Sequence, residues 1–421
     1  MAIIYLLLFM APQVLIYLYL RQRLPRPNRL LAAVFILFNF PWIFVARRVL
    51  FGSVWGIGRI PYIAPWIAWQ MMGWVFCALV TLYVTAKGVR SAWHAVRGTA
   101  GSSSRAPLTA HRSLVSRRQF LARATYAYAA AGLGLSGYGI WDAERLPVVT
   151  HRTLVFPDLP PGLDGLRIAH LSDVHAGIHM EREKMEAIVA QTNALRPDLI
   201  VQTGDMIDIS PSFIPLYVRA FRDLSAPLGV VTVLGNHDRY TGEQAVIRGV
   251  REAGQTLVQN GAHIVHHNGT PLALLGIDDP RNWRADDPQD ADVEMALRRT
   301  PPVGAAFRIL LAHRPGAFDA AAPRGIPLTL AGHIHGGQIY LPLIGWSAGR
   351  LITKYVMGHF RQGASQLYVS RGIGVVGVPI RIFVPPEIAV LELRRSGGQT
   401  EKAAVNDKNG GQTATAAVGA V

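Results

Sequence analysis

Cysteine is nearly absent: Cys77 is the single one in 421 residues. One thiol excludes a disulfide framework and a multi-thiolate metal site, and it leaves the redox compartment unreadable. Acidic residues are absent from the first 141 positions, where 15 Lys and Arg stand with no Asp or Glu. The remaining residues carry 27 basic and 27 acidic side chains, so the whole net charge of +15 belongs to the N-terminal third. That third also holds the long apolar runs. Basic residues between apolar runs are the bias of cytoplasmic membrane loops, and the neutral remainder argues against a nucleic-acid footprint.

The apolar runs are Ala2–Leu20, Leu30–Ala46 and Ile60–Ala86. Roughly 20 apolar residues cross a bilayer as a helix, and these runs lack the polar face of a soluble amphipathic helix. A basic, Gly/Ser-rich connector follows and ends in "SRRQFLARA", Ser116–Ala124. This string resembles a twin-arginine export signal, with Ser116, Arg117, Arg118, Phe120 and Leu121 in matching places. It departs from the pattern at Ala122 and in being internal. The other reading is an ordinary fourth helix with a basic flank. The third loop, from Lys87 to Arg123, is the most basic, so positive charge keeps it and the first loop in the cytoplasm. Arg47, Arg48 and Arg59 in the second loop pull the other way. The expected order is three transmembrane helices in 1–86, a basic cytoplasmic linker in 87–123, and a fourth transmembrane or signal-like segment in 124–141. A linker in 142–165, a catalytic domain in 166–395 and a disordered tail in 396–421 complete it. The catalytic domain would then face the periplasm or exterior.

From Leu166 onward, short apolar runs alternate with amphipathic ones. "LRIAHL", "PDLIVQ", "GVVTVL", "FRILLA" and "PLTLA" read as buried strands, and Glu181–Ala194 and Glu243–Ala253 as helices. That alternation predicts an α/β sheet covered on its faces. Each strand runs straight into polar residues: Asp173 and His175, then Asp205, then Asn236, His237 and Asp238, then His313, then His333 and His335. Sites in open α/β sheets form beyond the carboxyl ends of strands, so the five fragments can converge. Carboxylates, one amide and several imidazoles suit Mn, Fe or Zn, and they exceed what one tetrahedral ion needs. Two ions sharing a carboxylate would use the whole set.

Asp-x-His, Gly-Asp, Gly-Asn-His-Asp, a lone His and Gly-His-x-His, in this order, resemble the calcineurin-like metallophosphoesterases over about Leu166–Leu393. The strings "GHIHGGQIYLP" and "SRGIGVVGVPIRIFVPPEIAVLEL" resemble the bacterial membrane-linked branch, which includes twin-arginine-exported phosphodiesterases and UDP-2,3-diacylglucosamine pyrophosphatases. The resemblance implies a β-sandwich flanked by helices, behind an N-terminal transmembrane region. It implies two divalent ions, one on Asp173, His175 and His335, the other on Asn236, His313 and His333, with Asp205 bridging. A hydroxide between the ions would attack phosphorus, and His237, oriented by Asp238, would act at the leaving oxygen.

Other residues draw weaker expectations. His179 could reach the site or lie on the surface. His263, His266 and His267 flank an Asn-Gly hairpin turn and are expected to face solvent. Asp278 and Asp279 read as turn residues, Arg314 as a candidate phosphate contact, and Arg371 has no assigned chemistry. The segment Ile339–Phe360, apolar with Arg350 and Lys354, suits either lipid tails beside a head group or a plain core. The leading expectation is a membrane-anchored two-metal phosphoesterase acting on a phosphodiester or pyrophosphate of a small molecule or lipid. The bilayer and the twin-arginine machinery would be its partners, and no nucleic acid is expected. The alternatives are a cytoplasmic-face pyrophosphatase of the UDP-2,3-diacylglucosamine type and a non-catalytic membrane protein stapled by metal.

Overall fold

The computed structural model describes residues 137–280, 284–302, 306–377 and 379–396, together with the isolated positions 14, 17, 134 and 135. Apart from Val14 and Tyr17, the three apolar runs, the connector, the twin-arginine-like string and the tail beyond 396 lie outside them. Among the described residues no helix is long and apolar enough to cross a membrane.

The strands of the described residues are, in chain order, β1 Val148–Phe156, β2 Arg167–Leu171, β3 Leu199–Thr203, β4 Val230–Val233, β5 Thr256–Leu257, β6 Gly261–His267 and β7 Thr270–Gly276. Then come β8 Phe307–Leu311, β9 Leu328–Ala331, β10 Tyr340–Leu341, β11 Trp346–Ser347, β12 Gly358–Gln362, β13 Ser365–Val369 and β14 Glu387–Arg395. Beyond a helical stretch over 137–144, the helices are α1 Arg182–Ala194, α2 Ile214–Phe221, α3 Asn236–Glu252, α4 Asp290–Arg298 and α5 Phe318–Ala321. One six-stranded sheet has the order β1-β14-β2-β3-β4-β5, and the other β12-β13-β9-β8-β7-β6. β2, β3 and β4 run parallel, as do β7, β8, β9 and β13.

Strand periodicity divides the apolar side chains between two layers. In the first sheet Ile168, Leu199, Val201, Val231 and Val233 meet Leu272, Leu274, Ile309 and Leu330 of the second, forming the core between sheets. Their neighbours Ala169, Leu171 and Ile200 point outward and pack under Ile188 of α1, Val218 of α2 and Val246 of α3. Leu275 and Leu310 do the same on the far side beneath α4 and α5. Strands covered on both faces read as short, largely apolar runs, and all five strands expected from the sequence are present. The expected helices are present too. α3 starts earlier than its pattern because a break at Gly242, with φ +124°, separates its first turn from the amphipathic part.

One boundary differs. The 142–165 segment, expected to be a linker, carries β1, which pairs with β14 from Val148↔Glu387 to Phe156↔Arg395. Its apolar signal is weak because β1 is an edge strand: Leu154 and Phe156 turn inward, while His151, Arg152 and Thr153 face solvent. The Asn268-Gly269 turn does close the β6–β7 hairpin. Both residues have positive φ, +50° and +74°, which is the type I′ requirement. Of the histidines beside it, His266 is exposed. His263 and His267 are half-buried, and His267 Nδ1 lies 2.7 Å from Gly162 O.

Candidate metal centre

The parallel strands of both sheets end along one edge of the sandwich, and the loops beyond them lock together through backbone hydrogen bonds. Asp173 N donates to Gly204 O at 3.0 Å, His175 N to Asp205 O at 2.9 Å, and Gly332 N to His313 O at 3.0 Å. A side-chain bond joins the two sheets: His313 Nδ1 lies 2.8 Å from Thr203 O. A carbonyl can only accept, so Nδ1 carries the hydrogen and Nε2 is turned into the site as a lone-pair donor.

The close approach has a backbone cost. Asp173, His175, Asp205, His333 and His335 all have φ between +48° and +70°. Left-handed backbone is uncommon outside glycine and clusters where surrounding structure over-determines it, often at functional sites. Two glycines make room. A Cβ on Gly204 would stand 2.6 Å from Gly235 N and 2.7 Å from His313 Nδ1, and one on Gly332 would stand 2.4 Å from Asp173 Oδ2.

The ligand candidates fall into two groups, and His175 also belongs to a third with Asp208 and His237. Asp173, His175 and His335 form one, with His335 Nε2 3.3 Å from Asp173 Oδ1 and 3.2 Å from His175 Nε2. Asp205, His313 and His333 form the other, with His333 Nδ1 3.0 Å from His313 Nε2. Asn236 Oδ1 joins the second group 3.1 Å from His313 Nε2. Asp205 Oδ2 stands between them, 3.2 Å from His313 Nε2 and 3.6 Å from His175 Nε2. All seven ligand candidates read from the sequence are therefore brought to one place.

The donor set fits cations. Lone-pair atoms of four imidazoles, two carboxylates and an amide crowd together with too few hydrogens to satisfy them, and buried His175 Nδ1 has no hydrogen-bond partner among the described residues. Burial, reinforced by neighbouring positive charge, holds His333 and His335 well below the ordinary imidazole range, so both are neutral, as ligands must be. Burial alone would raise Asp205, but His313 and His175 hold it well below the usual carboxylate range. Burial would also lower His313, yet the negative charge of Asp205 and Asp173 raises it to about 10.

His237 stands at the rim. Its Nδ1 is 2.8 Å from Asp208 O and 3.4 Å from Asp208 Oδ1, and its ring meets that of His175 edge-on at 4.7 Å. Burial disfavours its charge, but Asp208 and Asp205 outweigh this and raise it to about 9. The expected orienting role of Asp238 is corrected. Its Oδ2 accepts from Asp205 N and Gly235 N, each at 2.8 Å, and its Oδ1 from Ile207 N at 3.1 Å. Asp238 therefore holds the ligand loops, and Asp208 holds the ring. The sequence offered a signal for Asp208, an acid shortly after Asp205, which the motif reading passed over.

Arg314 and Asp279 are also corrected. The guanidinium is buried and grips Asp279 through Nε at 2.6 Å and Nη2 at 2.9 Å, so Arg314 is not a phosphate contact and Asp279 is not an exposed turn residue. Arg371 binds Glu387 Oε2 through Nε at 3.0 Å. His179 is half-buried and belongs to neither metal-ligand group.

A family model described as calcineurin-like phosphoesterase matches residues 166–337. An uncharacterized metallophosphoesterase of Bacillus subtilis, YkuE, is 33% identical over 296 residues, 66% of this chain and 98% of its own length. A protein of Bos taurus named transmembrane protein with metallophosphoesterase domain is 29% identical over 368 residues, covering 83% of this chain and 78% of that one. Among solved structures, the protein TT1561 of Thermus thermophilus is 13% identical with a TM-score of 0.35, over 49% of this chain and 88% of that one. The chain belongs to the calcineurin-like phosphoesterase family and is a metal-dependent phosphoester hydrolase.

Proposed function

We propose that this chain is a membrane-anchored two-metal phosphoesterase that hydrolyses a phosphodiester or pyrophosphate of a lipid-linked substrate. The observation that carries the two-metal reading is Asp205 Oδ2, within reach of His175 on one side and His313 on the other. Asp173, His175 and His335 would hold one divalent ion, Asn236, His313 and His333 the other, and Asp205 both. Mn, Fe and Zn all suit these donors. Such a pair supplies charge neutralisation at the phosphoryl oxygens and activation of water for in-line attack. The protein's own part is to fix that geometry and manage a proton. His313 is locked by Thr203, Asp238 ties the Asp205 and Asn236 loops together, and His237 presents a proton from Nε2 while Asp208 holds Nδ1. Delivered to the leaving oxygen, that proton is general-acid catalysis.

The membrane part rests on the apolar runs before residue 141. The match to the bovine relative covers 83% of this chain, more than residues 139–421 contain, so it reaches into the apolar third. Loop charge favours an outward-facing catalytic domain, delivered across the membrane with or without the twin-arginine machinery. Two experiments test the reading. The full chain, purified with its metals, should hydrolyse bis(p-nitrophenyl) phosphate or a lipid pyrophosphate in preference to a monoester; preference for the monoester contradicts it. Protease added to spheroplasts should degrade the domain. Protection until lysis would reverse the orientation and favour the cytoplasmic-face pyrophosphatase. Arg117→Lys with Arg118→Lys should strand the domain inside if the export signal is used, and should change nothing if the segment is a simple helix.

A further inference from the structure

The segment after the metal histidines is not a core segment throughout. Tyr340, Ser347, Tyr355 and Val356 are buried, but Leu343 is 100% exposed, Leu351 79%, Ile344 71% and Ile352 59%. Large aliphatic side chains exposed so close together need a reason, since contiguous apolar surface marks an interaction site. The loop is firmly rooted. β10 and β11 pair at its base, and Ala348 N donates to Ile339 O at 3.0 Å. Ser347 Oγ donates to Gly336 O at 2.6 Å, one residue from His335. The loop is thus rooted one residue from His335 of the metal centre.

Two further features say what covers them. From Ile339 to Lys354 there is no acidic residue, and Arg350 is exposed between Gly349 and Leu351. Aliphatic tips with a basic side chain match the boundary between acyl chains and anionic head groups. Gly139 also lies beside the root of this loop. Gly139 O accepts from Arg381 N at 2.8 Å, Ile382 N donates to Gln338 O at 2.8 Å, and Tyr340 N donates to Ile382 O at 2.9 Å. Trp141, two residues after Gly139, is 58% exposed, and Trp is enriched at membrane interfaces.

We propose that the 341–352 loop is a bilayer-docking surface that seats the metal centre against anionic lipid, so that the phosphoester is taken at the membrane plane. This rests on the reading that the N-terminal third anchors the chain in a bilayer.

The test uses the full chain carrying Cys77→Ser, reconstituted into phosphatidylcholine–phosphatidylglycerol vesicles, with an environment-sensitive fluorophore on Leu343→Cys or, as a distant control, on exposed Arg298→Cys in α4. Lipids with a nitroxide on the acyl chain should quench the label at 343 and leave that at 298 bright. A label at 343 that stays unquenched in vesicles, in protein that hydrolyses soluble bis(p-nitrophenyl) phosphate at the parent rate, overturns the proposal. So does a label at 343 that is shielded by a second copy of the chain. A second variant, Leu343→Asp with Leu351→Asp, should keep its rate on the soluble diester and lose about tenfold or more on a vesicle-borne phosphoester, since each aliphatic side chain withdrawn from lipid is worth about that factor. Equal rates on both substrates also overturn it. Failure of the phosphodiesterase reading would appear separately, as no turnover of any diester while the label at 343 is still quenched.

Discussion

Around His237 the balance of charge depends on Asp205 and on Asp208, an acid that the ligand motifs do not include. Burial would raise the Asp208 carboxyl, but its contacts with His175 and His237 hold it well below the usual range, and with Asp205 it raises His237 above the ordinary imidazole range. A proton donor loses its function as pH rises through its pKa. Asp208→Asn removes the charge that raises that pKa, so the alkaline limb of the rate profile should move to lower pH; an unmoved limb would mean His237 is not the acid. His237→Ala should keep its ions and lose on the order of 10²–10⁴ in rate, the range for general acid–base catalysis. The loss should be smaller for a good leaving group than for a poor one, and equal losses would contradict the role. Elsewhere, Asp279→Ala would leave Arg314 charged and buried. That should cost about 3–5 kcal/mol, the range for breaking a buried ion pair, and be visible as a lowered melting temperature. Nothing in the sequence announced this pair, because its partners lie 35 residues apart and meet only in the folded chain.

The elements carrying the ligand candidates were legible because parallel strands covered on both faces are largely apolar, and where they stop the chain turns polar at once. β2, β3, β4, β8 and β9 follow that rule, and each leads into a ligand. β1 does not. Its exposed middle, His151 to Thr153, interrupts the pattern, and only pairing with β14, far along the chain, makes it a strand. It is nevertheless part of the core through Leu154, which is fully buried between the sheets. Leu154→Ala should therefore destabilise the domain by about 2–5 kcal/mol, the range for emptying a buried leucine site. A change of less than about 0.5 kcal/mol in denaturant unfolding, the scale of an ordinary surface substitution, would mean that 142–165 is the mere linker its sequence resembles.

At the scale of the whole domain, two sheets are stacked so that loops from both press into one volume. Asp173, His175 and Asp205 come from the first sheet, His313, His333 and His335 from the second, and the His313–Thr203 bond ties them. The left-handed backbone at Asp173, His175, Asp205, His333 and His335 is a local cost that the sandwich core sustains. The motifs pointed to the ligand candidates but not to this strain or the rooted apolar loop beside them, since both depend on which loops meet. The central claim is that one carboxylate serves both halves of the centre. Elemental analysis of the full chain beside Asp205→Asn tests it most directly. The account predicts two divalent ions per chain in the parent, and in Asp205→Asn the loss of both together with essentially all diesterase turnover. Two ions still bound to Asp205→Asn at the parent's occupancy would contradict it.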